Sequence, residues 1–478
     1  MKILKKLKHF IVSIVILFAS ATGYATTLLE VYQQAVESDP LIREADARRL
    51  AVSEAVPQAR SFLLPQVQTS AGWNRADTSG NQLVIDTMVG IISLPFEGES
   101  TTTNWDFELR QTIFRWDQVV GLKRADKLVA QAETDYAAAN QDLIIRVATR
   151  YFDVLASEDI LTSIHADRLA IARQLEQARQ RFEVGMFAIT DVQESQAAHD
   201  KAIADEIGAK RSLAKSRELL REITGQYVSS LAAPIEELPL NLPFPADEES
   251  WIDEARAQNL ALVSSRLGEE VARHEISFRR TGHYPTIDLV AGHSYIDTIG
   301  ETQFENTPVF PTDSDRTANS ISLQFTLPIF SGGRTSSRVR EAVYLHRASL
   351  ERLQRVTRET ERATRDAYLG VVAEISRVNA LKQAVSSSRT ALEATQAGFD
   401  VGTRTIVDVL NSQRALYLAI TRYYRSRYAY IGNVLLLKQA AGSLRVTDLQ
   451  EIDRWLVDRR RPEDVIAEDE VRAADDGV

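Results

Sequence analysis

The sequence contains an internal duplication. When the chain is shifted by 217 residues against itself, Phe182–Gln196 aligns with Phe399–Gln413, and eight of the fifteen positions are identical. The same shift places Gly225 on Gly442. A chain of 478 residues with this pattern is expected to repeat one structural plan, and the four prolines between the copies disfavour a helix there. The duplication predicts repeat 1 at 26–225, a proline-rich crossover at 226–246 and repeat 2 at 247–442.

Residues 1–25 have the pattern of a secretory signal peptide. Four lysines precede an apolar stretch from Phe10 to Ala19, and small residues surround a cleavage position after Ala25. The alternative is an uncleaved membrane anchor, but the apolar stretch is shorter than the ~20 residues that span a bilayer. We therefore expect export from the cytoplasm.

Charge and cysteine content exclude several classes of function. The formal net charge is −10, and loss of the four signal lysines would make it about −14, which disfavours nucleic acid as a partner. The chain has no cysteine, so it contains no disulfide, thiol nucleophile or thiolate metal ligand. Its seven histidines lack metal-ligand spacing, and the motifs of zinc proteases, phosphate-binding loops and serine hydrolases are absent from the sequence. The sequence predicts neither an enzyme nor a bound cofactor or metal.

Four windows alternate between apolar and polar residues with period two, as strands do when their faces meet different environments. In the second window, Trp105, Phe107 and Leu109 alternate with Asp106 and Glu108. Strands of a soluble β-sandwich alternate equally well. We favour membrane strands because aromatic residues lie near the ends of the apolar faces and each window has about nine to eleven residues. The windows predict strands at about 64–74, 104–114, 285–296 and 318–330, with long polar loops at 75–104 and 297–319.

Four strands are too few for a membrane barrel. Even small barrels use about eight strands, and lipid does not tolerate an open sheet edge. The strand count therefore predicts a homo-oligomer.

The remaining sequence is typical of long helices. From Leu122 to Leu143, apolar residues recur alternately every three and four positions, which indicates a coiled-coil seam. A helix over 118–184 would be on the order of 100 Å long. We predict long helical hairpins at about 118–225 and 335–442, shorter helices at about 27–60 and 248–280, and a disordered acidic tail at 462–478.

Several motifs resemble the TolC family of outer-membrane efflux proteins. They occur in both repeats, at Val31–Ala35, Gln111–Phe114, Arg181–Gly185, Ile189–Gln193, Leu327–Gly333 and Val401–Leu410. The resemblance implies a mixed α/β membrane protein, a homotrimer whose four strands per protomer form a twelve-stranded outer-membrane β-barrel. An α-helical coiled-coil barrel would continue it through the periplasm, with an equatorial region built from 226–246 and 443–461.

The resemblance also implies a function in export. Family members are outer-membrane exit ducts that work with a periplasmic adaptor and an inner-membrane pump of RND or ABC type. They expel drugs and, by type I secretion, proteins. The rival interpretation is a structural periplasmic coiled-coil protein, which accounts for the heptads but not for the duplicated strand windows.

The resemblance places a pore constriction near the second hairpin turn. Asp408 matches the first of two acidic rings of the family, and Asn411 stands at the second. We therefore expect half of the family's carboxylates and weaker cation selectivity. The alternative for Asp408 is a helix start, because Thr405–Asp408 has capping-box spacing.

Links between neighbouring hairpins close the turn region in the family. Thr190, Asp191 and Arg404 match the residues of these links, whereas Phe399 replaces a tyrosine and lacks its hydroxyl. We therefore expect closure to depend mainly on Arg404 with Thr190 and on packing. The alternatives are an N-terminal helix cap for Thr190, with Gln193 completing the box, and a solvated surface charge for Arg404.

The resemblance further implies that the adaptor docks at the two hairpin turns, at Val184, Gly185, Val401 and Gly402. Glycine at these positions also lets the backbone turn, and both interpretations can hold together.

Overall fold

The computed structural model describes residues 25–86, 90–228, 230–305 and 307–458. The predicted signal peptide apart from Ala25, the tail predicted at 462–478 and the last three residues of the predicted equatorial segment lie outside these ranges. Over the described ranges, no helix is both long enough and apolar enough to cross a membrane.

Repeat 1 passes from short helices through two strands to two long helices. Its elements are α1 (Leu28–Ser38), α2 (Pro40–Ser53), α3 (Ala55–Ser61), β1 (Gln66–Asp86), β2 (Gly90–Phe114), α4 (Trp116–Glu183) and α5 (Ile189–Thr224). The helix predicted at about 27–60 is divided. Proline disfavours helical backbone in the residue before it, and Asp39, which precedes Pro40, is extended.

Repeat 2 follows the order of repeat 1 after the crossover, which contributes the short strand β3 (Ala233–Pro234). Its elements are α6 (Glu248–Gln258), α7 (Leu260–Arg280), β4 (Thr286–Phe304), β5 (Phe310–Pro311), β6 (Ser314–Thr326), α8 (Arg334–Asp400) and α9 (Ile406–Ala441). The C-terminal segment adds α10 (Val446–Asp453) and β7 (Leu456–Val457), and β7 pairs with β3. The limits of both long hairpins lie within two residues of the predicted ones.

The long strands of both repeats form one antiparallel sheet in the order β1, β2, β4, β6, with β5 also paired to β4. Within the described residues, β1 pairs only with β2 and β6 pairs only with β4. The sheet therefore has two open edges in the single chain.

β1, β2 and β4 are longer than predicted, and the long polar loops were a wrong expectation. The strand predicted at about 318–330 is shifted and ends at Thr326. β1 and β2 extend from the predicted windows to Asp86 and back from Gly90, and β4 extends to Phe304. Most of 75–104 and much of 297–319 is therefore strand. The ladder continues there because backbone N–H and C=O groups pair whatever the polarity of the side chains.

The described chain forms two compact units, each built from both repeats. The first, 25–48 with 134–264 and 354–458, holds the main apolar core, in which Leu143, Val147 and Tyr151 of α4 are fully buried. Their spacing of four residues places them on one face of the helix. The second unit, 49–133 with 265–353, contains the sheet.

Buried hydrogen bonds join distant segments within the first unit. The hydroxyl of Tyr151 on α4 donates to the carbonyl of Ala232 in the crossover at 2.6 Å. A carboxylate oxygen of Asp453 on α10 accepts from the N–H of Leu28 at the start of α1 at 3.0 Å. The crossover and the C-terminal segment are thus both fastened to helices of repeat 1.

Candidate functional site

One face of the sheet is apolar along its register. Val67 lies opposite Leu109, Leu109 opposite Ala291, and Ala291 opposite Ile321, so the four long strands contribute one continuous row. Ile321 is 81% exposed and Trp105, on the same face, is 41% exposed. The apolar sides of the four predicted windows therefore share one uncovered face, which is typical of contact with lipid or with another protein.

The opposite face of the sheet is polar. Asp106 and Glu108 lie on it, and Ser70 of the neighbouring strand donates to Asp106 at 2.9 Å. Asp288 is almost fully buried on this face near the start of α4. Arg115 donates to both of its oxygens, at 3.2 and 2.8 Å. A bidentate pair of this kind satisfies the buried carboxylate and fixes the end of the sheet.

The two long hairpins turn in the same way. We call residues 184–188 tip 1 and residues 401–405 tip 2. Gly185 and Gly402 have φ values of +76° and +79°, a region that L side chains rarely adopt. Each donates its N–H to the carbonyl three residues earlier, at 2.9 and 3.0 Å, which ends the helix before it. Val184 and Val401 stand beside these glycines and are 70% and 75% exposed.

An aspartate caps the helix that leaves each tip. Oδ2 of Asp408 accepts from the N–H and the hydroxyl of Thr405, both at 3.0 Å, and Oδ2 of Asp191 accepts from the N–H of Ala188 at 3.1 Å. The capping-box alternative for Asp408 therefore holds, with Thr405 as the N-cap of α9 and Asp408 as its partner at the third helical position. The capping alternative for Thr190 is wrong, because the bond to Asp191 makes Ala188 the N-cap and places Thr190 inside α5.

The cap also favours the ionised form of the Asp408 carboxyl. Hydrogen bonds from the backbone and hydroxyl of Thr405, with a smaller attraction to Arg404, lower the pKa of the Asp408 carboxyl below its ordinary value. Both cap bonds use Oδ2, so Oδ1 can meet an ion while the cap stays in place. Asn411, one turn further along α9, is exposed.

Arg404 folds back over the end of α8. Its N–H donates to the carbonyl of Gly398 at 3.2 Å, and a β-carbon at Gly398 would lie only 2.8 Å from Cγ of Arg404. Within the described residues of one chain, Arg404 makes no hydrogen bond with Thr190 or Asp191. The links expected from these residues remain predictions about the assembled protein.

A contact between the two hairpins that the sequence did not predict lies beside the tips. The guanidinium carbon of Arg181 is 5.3 Å from the ring centroid of Phe187 and 5.1 Å from that of Phe399. Nη2 of Arg181 is 3.5 Å from Oδ1 of Asp400. Phe399, expected only as a missing hydroxyl, is 7% exposed and packs in this contact. The sequence signal was weak, because Arg181 and Phe399 merely stand near the two tip glycines.

The family model for outer membrane efflux proteins matches residues 31–226 and 251–443, most of the chain. The chain belongs to the outer membrane efflux protein family. The two matched segments correspond to the two repeats, so the family assignment rests on both copies of the duplicated plan.

Several known proteins match almost the whole chain. The outer membrane protein TolC of Vibrio cholerae is 38% identical over 455 residues, which cover 95% of this chain and 99% of that protein. The alkaline protease secretion protein AprF of Pseudomonas aeruginosa is 28% identical over 464 residues, 96% of this chain and 93% of that protein. The Campylobacter jejuni CmeC outer membrane channel shares the fold, with a TM-score of 0.70 at 16% identity over 90% of each chain. The family resemblance inferred from the motifs is confirmed.

Proposed function

We propose that this protein is an outer-membrane exit duct for efflux and for type I secretion. The observation that carries the proposal is an uncovered apolar sheet face joined to very long helices in a member of the outer membrane efflux protein family. The first helix of each hairpin has 68 residues in repeat 1 and 67 in repeat 2. At 1.5 Å per residue each is about 100 Å long. The sheet would lie in the outer membrane, and the hairpins would reach through the periplasm.

The open edges of the sheet support a homo-oligomer, and the family resemblance implies that it is a trimer. A bilayer offers no hydrogen bonds to the unpaired edges of β1 and β6. Three four-stranded sheets joined edge to edge would close a twelve-stranded barrel, with the apolar face toward lipid. Asp106 and Glu108 would then face a water-filled lumen. The helical hairpins of the three chains would form a coiled-coil barrel below it.

The tips would form the gated end of the duct. Three copies of Asp408 would surround the axis and attract cations through Oδ1, with Asn411 in place of a second acidic ring. Thr190, Asp191 and Arg404 would link neighbouring hairpins when the tip is closed.

The partners would engage the same end. A periplasmic adaptor would dock on the exposed tips, at Val184, Gly185, Val401 and Gly402. It would connect the duct to an inner-membrane pump of RND or ABC type, and engagement would open the tip.

The cargo is proposed from the relatives. AprF is a secretion protein for an alkaline protease, and the family model is named for efflux. We expect this chain to pass both small toxic compounds and secreted proteins. The pump would select among them, because the duct only provides a common exit.

Deletion of the gene tests the proposal. We expect the deletion strain to become sensitive to antibiotics and bile salts and to lose secreted protein, and the full-length gene to restore both. Outer-membrane fractions should contain a heat-modifiable trimer band. Recovery of the protein as a soluble periplasmic chain, with unchanged drug sensitivity, would contradict the duct and favour a structural coiled-coil protein.

A further inference from the structure

We propose that Arg181, packed against the rings of both Phe187 and Phe399, forms a clamp that joins the two hairpins of one protomer and must open before the tip can widen. The gating part of this inference rests on the duct function proposed above. The clamp itself is a contact within one chain.

The geometry of the clamp joins both hairpins through one guanidinium group. Arg181 and Phe187 belong to the hairpin of repeat 1, whereas Phe399 and Asp400 belong to the hairpin of repeat 2. The two rings are 5.6 Å apart at 66°, an edge-to-face arrangement, and the guanidinium carbon lies 5.1 to 5.3 Å from both. These distances are within the range of cation–π attraction.

The aromatic half of the clamp is buried and the ionic half is exposed. Phe399 packs in an apolar cluster with Ile171 of α4 and with Val409 of α9, so its ring is held by both hairpins. The Arg181 side chain is 32% exposed and that of Asp400 is 53% exposed. Because an exposed ion pair contributes little in water, the rings should carry most of the attraction.

The duplication supplies internal controls for this contact. The residue of repeat 1 that aligns with Phe399 is Phe182, which is 40% exposed. Arg179 lies two residues before Arg181 on α4, and it bonds to Gln196 within its own hairpin at 2.6 Å. Neither belongs to the clamp, yet each has the same side chain as a clamp residue and lies in the same region.

The experiment compares matched substitutions in the full-length protein. The test variants are Arg181→Gln and Phe399→Leu, and the controls are Arg179→Gln and Phe182→Leu. Hydrogen exchange followed by mass spectrometry measures local opening of the amides of tip 2, where Thr403 donates to the carbonyl of Gly398. Planar-bilayer recording measures conductance and the open-channel probability.

We expect both test variants to speed exchange at tip 2 on the order of tenfold and to raise the open-channel probability, with both controls close to wild type. Asp400→Asn should change exchange by about twofold or less, because its ion pair is exposed. Exchange in Arg181→Gln equal to that in Arg179→Gln would overturn the clamp. An effect of Asp400→Asn as large as that of Arg181→Gln would overturn the assignment to the rings.

Failure of the clamp can be distinguished from failure of the duct. If the wild-type protein forms no channels in the bilayer, the duct proposal fails, while the exchange rates still report whether Arg181 joins the hairpins. If the wild type conducts and Arg181→Gln speeds exchange without raising the open-channel probability, the gating part of the proposal is wrong.

Discussion

Replacing Tyr428 with Phe removes one buried hydroxyl group from the contact between α4 and α9. That hydroxyl donates to Oδ2 of Asp159 at 2.5 Å, and the tyrosine ring stacks on Phe152 with centroids 5.6 Å apart. Phenylalanine keeps the ring and its stacking. The substitution therefore removes a hydrogen bond that joins the hairpin of repeat 1 to the hairpin of repeat 2.

The burial of both partners sets the magnitude of the effect. Tyr428 is 7% exposed and Asp159 is 6% exposed, so water cannot readily replace the lost donor. A hydrogen bond to a charged group contributes about 1.5 to 3 kcal/mol. At 1.4 kcal/mol for each factor of ten, opening of this contact should become about ten to a hundred times more frequent.

Hydrogen exchange of the detergent-solubilised protein measures this change at the amides of α9 around position 428. Tyr417→Phe is the matched control, because Tyr417 lies on the same helix and is half-buried. Within the described residues its hydroxyl makes no hydrogen bond with the protein. We expect exchange near Tyr417 to be unchanged in the control. Equal exchange rates in wild type and Tyr428→Phe would show that the buried bond does not hold the hairpins together.

Three further substitutions test charge and closure at the tips and above them. Asp408→Asn should abolish cation selectivity in bilayer reversal potentials while Asp191→Asn, which alters the equivalent cap, leaves it unchanged. Since the cap lowers the pKa of Asp408, wild-type selectivity should persist at pH 5 and be lost only below about pH 4. Burial raises the pKa of Asp167, which accepts from Gln413 at 2.7 Å. The ionised form therefore costs stability above that pKa, and the cost disappears as the pH falls through it. Asp167→Asn should raise the heat-dissociation temperature at pH 7 and lose this advantage in acid, and an equal gain at both pH values would contradict the assignment. Phe399→Tyr restores the hydroxyl of the family pattern and should lower the open-channel probability, and an unchanged probability would show that the hydroxyl is not a missing link.

The sequence predicted the sheet where its two faces differ and failed where they do not. Trp73 and Trp105 lie on the apolar face, and the same face continues to Asp77, Glu99 and Glu301, which lie opposite one another in the register. Next to the tryptophans, over 75–82 and 97–103, both faces are largely polar, so the period-two contrast disappears although the ladder continues. Strand length is set by backbone pairing, and hydrophobic alternation detects only the part of a strand that separates two environments.

At the tips, the sequence likewise predicted some residue roles and missed others. Both turns could be predicted from Gly185 and Gly402, because a position with positive φ at the end of a helix is usually occupied by glycine. The alternative that Thr190 caps α5 is wrong, and no sequence signal marks the true N-cap, because Ala188 offers no side-chain acceptor. The contact of Arg181 with Phe399 joins residues that are far apart in the chain, and no local spacing could reveal it.

The duplication explains why the two tips differ in their chemistry. At a shift of 217, Arg181 aligns with Gly398 and Phe187 aligns with Arg404. These two positions contact each other in both hairpins, through Arg181 on Phe187 in the first and through Arg404 on Gly398 in the second. The cation therefore stands before the turn in one copy and after it in the other.

Each cation has a different neighbour as a result. Arg181 reaches the ring of Phe399 in the other hairpin, whereas Arg404 lies near Asp408 in its own hairpin and helps to lower the pKa of that carboxyl. The arginine thus occupies different aligned positions in the two copies. In repeat 1 it makes a contact that holds the hairpins together, and in repeat 2 it lowers the pKa of the candidate pore acid. We infer that closure and ion selectivity are separable, so that Arg181→Gln should alter opening without altering the cation preference of the open channel.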